Sequence, residues 1–267
     1  MRKLKFKLSR GLLHIIYINF VRPILEYADI VWDNIPIYLR ERLETINIEA
    51  ARIVTGATKL CSKEKLYVET GWETMSCRRI KHTVIKFHEL FHGCAPEYLC
   101  NLVPPQLHDL HNYNTRRASN TQTVYSRTSF YRNLPIEVGR NSSKYTLKRF
   151  LYRNAVKIPS YFNTGSRRGH VLHTRLRLSW SNLNDYLYRR HITDSNLCQC
   201  GYVESTSHLL LECHLYNDTR VRTIGHLGRN IPIDTHLFGD ELLIFEDNKR
   251  TFETAHNFIL ECGRFDL

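Results

Sequence analysis

Three cysteines and one histidine lie close together near the C-terminal end of the sequence. Cys198, Cys200, His208 and Cys213 follow the pattern C-x-C-x7-H-x4-C. Thiolate sulfur and imidazole nitrogen are ligands that Zn²⁺ prefers, and four of them complete a tetrahedral structural site. Because such a site leaves no position open for water, we expect the metal to hold a fold together rather than to catalyse a reaction.

The spacing of these residues sets two geometric conditions. Only Gln199 separates the first two cysteines, so the chain must turn tightly there, and Gly201 can relieve the strain. His208 and Cys213 are five positions apart, so they converge on one ion only if an α-helix between them ends or bends. His214 and His191 therefore remain alternative fourth ligands.

The elements that must position these ligands read as helices. Hydrophobic residues make up 42% of the 267 residues, which is enough for packed cores. Apolar residues recur at helical spacing in the first hundred residues, where strand signals are weak. The pattern predicts helices over 39–55 and 76–92, the first with a buried face of Leu43, Ile46, Ala50, Ile53 and Val54. The sequence therefore predicts a mainly α protein.

Composition changes along the chain predict four regions. Residues 1–103 form a helical region, and 104–160, which begins with Pro104-Pro105, form a linker and a basic connection segment. Residues 161–230 carry basic helices and the zinc-binding element. Residues 231–267 form an acidic C-terminal helix or tail.

Basic residues are concentrated in the middle of the chain. The formal net charge is +12, and 140–190 carries twelve Lys and Arg against a single acid, Asp185. Aromatic residues are interleaved with this charge, and the combination suits phosphates and unpaired bases. We therefore expect RNA and/or DNA as partner. The candidate phosphate ligands are Lys144, Lys148, Arg149, Arg167, Arg168, Arg175, Arg177, Arg189 and Arg190.

The remaining cysteines and the N-terminal segment indicate an intracellular protein, nuclear or cytoplasmic and not secreted. The chain has eight cysteines, and those outside the cluster lack the spacing of a disulfide framework. The start of the chain resembles a signal peptide, but His14 and Asn19 interrupt its apolar run and Arg22-Pro23 follows it. No apolar stretch is long enough to span a membrane, so we expect no membrane partner.

Several short motifs occur in a fixed order along nearly the whole chain. They are Tyr17 to Tyr27 with Val31-Trp32, Leu43 to Gly56, Gly71-Trp72-Glu73 with Arg78-Arg79, Phe87 to Leu99, Tyr113 to Arg116, Ser129 to Pro135, Arg168-Gly169-His170 with Arg175-Leu176, the cysteine–histidine cluster with Arg220, Leu237-Phe238-Gly239 and Gly263-Arg264-Phe265. Together they resemble the C-terminal half of reverse transcriptases of non-LTR retrotransposons of the LINE-like, jockey type. Tyr131 departs from this pattern, since the family has Trp there.

The resemblance implies a helical thumb-like bundle, followed by a small zinc-binding α element and a C-terminal helix. In the family these parts grip template and primer and help to engage RNA or target DNA. The paired aspartates of the catalytic palm are missing, since the sequence contains no Asp-Asp pair. We therefore expect a truncated open reading frame that is not itself an enzyme, with a separate reverse transcriptase palm as a possible partner.

Two other kinds of function remain open. The sequence contains enough histidines for a hydrolytic active site, but it has no Ser-centred elbow and no phosphate loop. A non-catalytic protein-interaction role, or a remnant without function, would be indicated by an exposed apolar face to which Ile15, Ile16, Ile24 and Ile30 contribute.

Overall fold

A computed structural model describes residues 1–101, 103–110, 158–225 and 230–266. The protein is mainly helical, as the sequence predicted, and within these ranges there is no β-strand. The α-helices are α1 (Arg10–Ile16), α2 (Arg22–Glu26), α3 (Asp29–Trp32), α4 (Ile37–Thr55), α5 (Lys63–Thr70), α6 (Met75–Phe91), α7 (Glu97–Cys100), α8 (Leu107–Leu110), α9 (Arg167–Arg177), α10 (Asn184–Tyr188), α11 (Asn217–Thr223), α12 (Ile233–Phe238) and α13 (Phe245–Glu261). Short 3-10 helices cover Arg2–Leu4, Ser160–Asn163 and His214–Tyr216, and π-helical segments cover Tyr17–Val21 and His208–Glu212.

The chain forms two compact units, each built from non-consecutive segments. Unit 1 contains Met1–Asn19, Ile48–Gly71 and Val156–Leu267, whereas unit 2 contains Phe20–Asn47 and Trp72–Ala155. Composition cannot anticipate such an arrangement, because it reads the chain as consecutive blocks. The four regions predicted from the sequence therefore stay a prediction.

Helices α4 and α6 match the two predicted helices closely. Thr74 caps α6, since its hydroxyl accepts a hydrogen bond from the amide of Cys77 at 3.1 Å. The predicted inward face of α4 is wrong at Ile46, which is 45% exposed. The neighbouring Asn47 is buried instead, and its amide donates to the carbonyl of Glu73 at 3.2 Å. A satisfied polar side chain thus occupies an interior position that the apolar pattern assigned to Ile46.

Ion pairs fix the short helices of unit 2 against α6. Arg79 on α6 pairs with Asp33 at 2.9 Å, and the Nδ1 of His82 lies 2.6 Å from a carboxylate oxygen of Asp29. Arg78 also pairs with Glu26. Adjacent turns of α6 therefore contact the acidic side chains of α2, of α3 and of the residue that follows α3.

The four isoleucines proposed for an apolar face differ in exposure. Ile24 in unit 2 and Ile15 in unit 1 are exposed, whereas Ile16 and Ile30 are half-buried. Because these residues are divided between the two units, the single face expected from the sequence stays a prediction.

The core of unit 1 is organised around α13, the predicted C-terminal helix. Phe258 and Ile259 on this helix are buried in an apolar cluster. The other members of the cluster are Leu176, Leu183, Leu209, Leu210, Ile224, Leu237 and Cys262. Six residues before Phe258, Phe252 packs against Tyr161 and Phe162. A single helix thus supports most of the C-terminal part of the chain.

A buried charge triad joins three separate segments of unit 1. The Glu69 carboxylate on α5 accepts from Arg10 on α1 at 2.6 Å and from Arg177 on α9 at 3.1 and 2.5 Å. All three side chains are at least nine-tenths buried. Arg10 also donates to the carbonyl of Glu69 at 2.6 Å. Because charge is costly to bury unpaired, each member of the triad requires the others.

Candidate metal centre

The four residues predicted as metal ligands come together in unit 1. One ligand atom from each of Cys198, Cys200, His208 and Cys213 lies within 4.8 Å of all the others. The sulfur of Cys213 is 3.8 Å from that of Cys198 and 3.7 Å from that of Cys200. The Nε2 of His208 lies 3.1 Å from the sulfur of Cys200. This cluster could hold a metal ion, and its fourth member is His208.

A tight turn solves the problem of the single residue between the first two cysteines. The amide of Cys198 donates to the carbonyl of Tyr202 at 2.7 Å, and the amide of Gly201 donates to the carbonyl of Cys198 at 2.9 Å. Gly201 has a φ of +92°, a conformation that glycine adopts without steric cost. The turn therefore points both thiols the same way.

A π-helical turn solves the second geometric problem. The segment His208–Glu212 is π-helical, and the amide of Cys213 donates to the carbonyl of His208 at 2.7 Å. In a π-turn the backbone hydrogen bond spans five residues instead of four, so residues five apart face the same way. The spacing that is unsuitable for an α-helix thus suits this segment. Between the two ligands, Leu209 and Leu210 enter the core cluster.

Arg220 on α11 holds the end of this π-turn. It is 1% exposed, and its guanidinium donates to the carbonyls of Leu210 at 2.7 Å, Leu209 at 3.1 Å and Cys213 at 2.9 Å. These carbonyls lie where a helix ends and lacks internal donors. Sequence reasoning noted Arg220 only within the resemblance, and no local pattern reveals its role as a positioning residue.

Glu204 joins the first turn of the metal lobe to the segment after α13. Its buried carboxylate accepts from the amide of Asn184 at 2.7 Å and from Arg264 at 2.6 and 2.8 Å. These hydrogen bonds to Glu204 raise the pKa of Arg264. The lobe is therefore anchored to α10 and to α13 before any ion is considered.

The environment of the ligands affects their protonation. Burial raises the pKa of the Cys198 thiol to about 12, and burial also raises the pKa of the Cys213 thiol. Such thiols become thiolates readily only beside a cation, which a bound metal supplies. The Nδ1 of His208 lies 3.7 Å from a carboxylate oxygen of Glu212, which is too far for a hydrogen bond.

Two of the predicted phosphate ligands are committed to the interior. Arg177 is 7% exposed and belongs to the charge triad, so its guanidinium is paired inside unit 1 and its role as a phosphate ligand stays a prediction. Arg167 donates to the carbonyls of Lys5 at 2.8 Å and of Ile53 and Val54 at 2.5 Å each, and burial lowers its pKa to about 10. Its guanidinium is therefore occupied by backbone acceptors.

Four others reach the surface at least in part. Arg168 pairs with Asp266, and Arg189 pairs with Asp185 at 2.8 Å. Arg190 stacks on the Trp180 ring at 3.3 Å, and Arg175 donates to the carbonyl of Gly56 at 3.2 Å. Lys144, Lys148 and Arg149 lie outside the residues that the structure describes.

Sequence reasoning took an H-E-x-x-H motif to be absent, and this is wrong, because residues 88–92 have that order. In zinc hydrolases the two histidines of this motif bind the metal and the glutamate acts as base. The rings of His88 and His92 are 4.2 Å apart near the end of α6, and both are exposed. Glu89 pairs with Lys86 at 2.9 Å, and no third ligand joins the histidines among the described residues. Both rings therefore lie at the surface of the described part of the chain.

Comparisons with protein-family models, with curated proteins and with solved structures gave no match to this chain. Among the described residues, no helix is both long and apolar enough to cross a bilayer.

Proposed function

We propose that this chain is a nucleic-acid-binding module whose C-terminal lobe is held together by a structural Zn²⁺ ion. The Cys198–Cys200–His208–Cys213 cluster is the observation that carries this proposal. In keeping with the order of motifs, the module corresponds to the C-terminal part of a non-LTR retrotransposon reverse transcriptase. It is a binding protein rather than an enzyme, and a separate palm is a candidate partner.

The sulfur positions support zinc as the metal. For a zinc–sulfur bond of about 2.3 Å, the edge of a regular tetrahedron is about 3.8 Å. The separations of 3.8 and 3.7 Å between Cys213 and the other two sulfurs match this edge. Three thiolates and one imidazole also disfavour Mg²⁺ and Ca²⁺, which prefer oxygen ligands.

The surface beside the metal lobe supports a nucleic-acid partner. Arg189 and Arg190 follow α10, which is joined to the lobe by the hydrogen bonds of Asn184 to Glu204 and to the carbonyl of Leu197 at 2.6 Å. Exposed rings of Tyr188 and Tyr202 lie on the same two elements. Guanidinium groups bind phosphates, and exposed rings stack on unpaired bases.

A protein-interaction role is the second candidate. Leu242, Ile244 and Phe245 form an apolar run on the surface of unit 1, and Leu242 is 94% exposed. Such a run favours contact with another protein. If the purified chain bound no nucleic acid, this protein-interaction role would replace nucleic-acid binding as the proposed function.

Metal content and stability test the zinc proposal. Elemental analysis of the purified chain should find one zinc ion, and Cys198→Ser should lose it and melt at a lower temperature. Cys94→Ser is the matched control, because Cys94 is free and exposed. Equal metal content and equal melting temperature in the two variants would refute the proposed zinc centre.

Salt dependence tests nucleic-acid binding. Fluorescence anisotropy with a single-stranded RNA should show affinity that falls steeply with salt concentration. Replacing Arg189 and Arg190 by Ala should lower the magnitude of the slope of log K against log salt by about 1.4, since each phosphate contact contributes about 0.7. Replacing Arg222 and Arg250 by Ala is the control, because both residues are exposed and the change removes the same charge. The absence of binding at low ionic strength would refute the proposal.

A further inference from the structure

Two exposed histidines stand side by side at the C-terminal end of α6 in unit 2. His88 and His92 are four positions apart, which is about one turn of an α-helix, and the centres of their rings are 4.2 Å apart. Neither ring makes a hydrogen bond or an ion pair with a described residue, and both residues are exposed. Ring nitrogens of both side chains are therefore accessible to a ligand from solution.

The distance between the rings fits two ligands of one metal ion. For a metal–nitrogen bond of about 2.1 Å, the ring centres of two histidines bound at right angles to one ion lie about 4.5 Å apart. The observed 4.2 Å is close to this separation. Imidazole nitrogen is a good ligand for Zn²⁺, Ni²⁺ and Cu²⁺, whereas Mg²⁺ and Ca²⁺ prefer oxygen ligands.

The way in which α6 ends holds the two histidines in a fixed relation. The amide of Cys94 donates to the carbonyl of Glu89 at 2.8 Å, and the amide of Gly93 donates to the carbonyl of Leu90 at 3.3 Å. Gly93 has a φ of +67°, so these two bonds form a Schellman motif that ends the helix directly after His92. The backbone of His92 is therefore fixed against the last turn of the helix.

The charges around the pair favour a cation. The C-terminal end of a helix carries a partial negative charge, and both histidines lie there. Glu89 pairs with Lys86 at 2.9 Å, which offsets the positive charge of that lysine. The Cys94 thiol is directed at the carbonyl of His92 at 3.7 Å, and no third ligand joins the two rings among the described residues.

We propose that His88 and His92 together bind one divalent transition-metal ion of the Zn²⁺, Ni²⁺ and Cu²⁺ class, as a second metal site of the chain. The two imidazoles supply two ligands, and water fills the remaining positions. With two protein ligands instead of four, the ion is held less tightly than in the closed cluster of unit 1 and exchanges with solution. Its open positions can accept a donor atom from another molecule.

Calorimetric titration of the zinc-loaded full chain with Ni²⁺ tests this site. Ni²⁺ is the probe because it favours square-planar or octahedral geometry, which a tetrahedral thiolate cluster does not offer. The wild type should bind one Ni²⁺ at this site, and His88→Gln and His92→Gln should each weaken that binding about a hundredfold, because the second ligand of a chelate binds intramolecularly. His191→Asn is the control, since it removes one exposed histidine of unit 1 and Asn tolerates the positive φ there.

A variant that lacks both histidines separates chelation from independent binding. If both rings hold one ion, the double variant should bind Ni²⁺ hardly more weakly than either single variant. Half of the binding capacity left at unchanged affinity in each single variant would show two independent histidines and overturn the proposal. It would also be overturned by a wild type without saturable binding, or by equal affinity in the wild type and both single variants.

The stability of the variants provides a second measurement. Ni²⁺ should raise the melting temperature of the wild type and of His191→Asn but not that of His88→Gln or His92→Gln. Without Ni²⁺ all four proteins should melt alike, because the exchanged rings are exposed and make no hydrogen bond with a described residue. Their zinc content should also be equal, so failure of this proposal would leave the cluster in unit 1 and the proposed function unaffected.

Discussion

The buried triad of Arg10, Glu69 and Arg177 allows a quantitative prediction. Glu69→Gln keeps the shape of the side chain and removes its charge, so two buried guanidinium groups lose the carboxylate that they share. Removing one partner of a buried ion pair costs about 3–5 kcal/mol. The carbonyl of Glu69 still accepts from Arg10, and Arg177 still lies 4.0 Å from the Phe162 ring. We therefore expect the lower limit, about 3 kcal/mol.

This loss is large compared with the total stability of a domain, which is about 5–15 kcal/mol. For a protein of this size it should lower the melting temperature by about 6–12 °C. Urea denaturation followed by circular dichroism measures the change in unfolding free energy. Glu64→Gln on the same helix is the control, because Glu64 is exposed and its loss should cost less than about 0.5 kcal/mol.

The pH dependence provides an independent check. Burial by itself raises the pKa of Glu69, but the charges of Arg177 and Arg10 hold it below its ordinary value of 4.5. A carboxyl group whose pKa is lower in the folded than in the unfolded protein stabilises the fold at pH values above its unfolded pKa. This stabilisation is lost as the pH falls through the folded pKa. The Gln variant should lose that part of the acid sensitivity. A cost below about 1 kcal/mol, or unchanged acid sensitivity, would refute our account of the triad.

Three further predictions concern unit 1. Gly169→Ala should destabilise the fold by about 1–3 kcal/mol, because the added Cβ would lie 2.2 Å from Nε2 of His256. Gly11→Ala is the control, since its Cβ would lie 3.8 Å from the nearest atom, and thermal melts compare the two variants. Arg220→Lys should lose at least two of three hydrogen bonds and lower zinc affinity about tenfold, as measured by competition with a chelator; an unchanged affinity would count against a positioning role. Burial lowers the pKa of His256 to about 4, so its unfolded form binds the extra proton and stability should fall from pH 6.5 towards 4; His256→Gln should flatten that decline in melts at pH 7 and 5.

Much of the helical framework was predictable from local pattern. The apolar periodicity placed α6 within one residue of its observed ends. The cluster of three cysteines and one histidine was predictable because these thiol and imidazole groups lie close together in the sequence itself. The doubt about His208 arose from assuming an α-helix, and the π-turn removed it.

Other features depend on contacts between distant residues. Arg177 and Glu69 are 108 positions apart, so nothing near Arg177 distinguishes it from a surface cation. The interior roles of Arg167 and Arg220 likewise depend on carbonyls that only the folded chain presents. Sequence reasoning therefore could not separate the arginines that are paired in the interior from those at the surface.

The assembly of unit 1 from three separate stretches affects how the protein acquires its fold. Partners of the triad meet only after the intervening chain, including Trp72–Ala155, has been looped out. Contacts of such long range slow folding. No single continuous gene fragment that omits the first seventy residues can encode unit 1 together with its triad. Recombination at such a point would transfer the cysteine-rich lobe but leave Arg177 buried without its counter-charge.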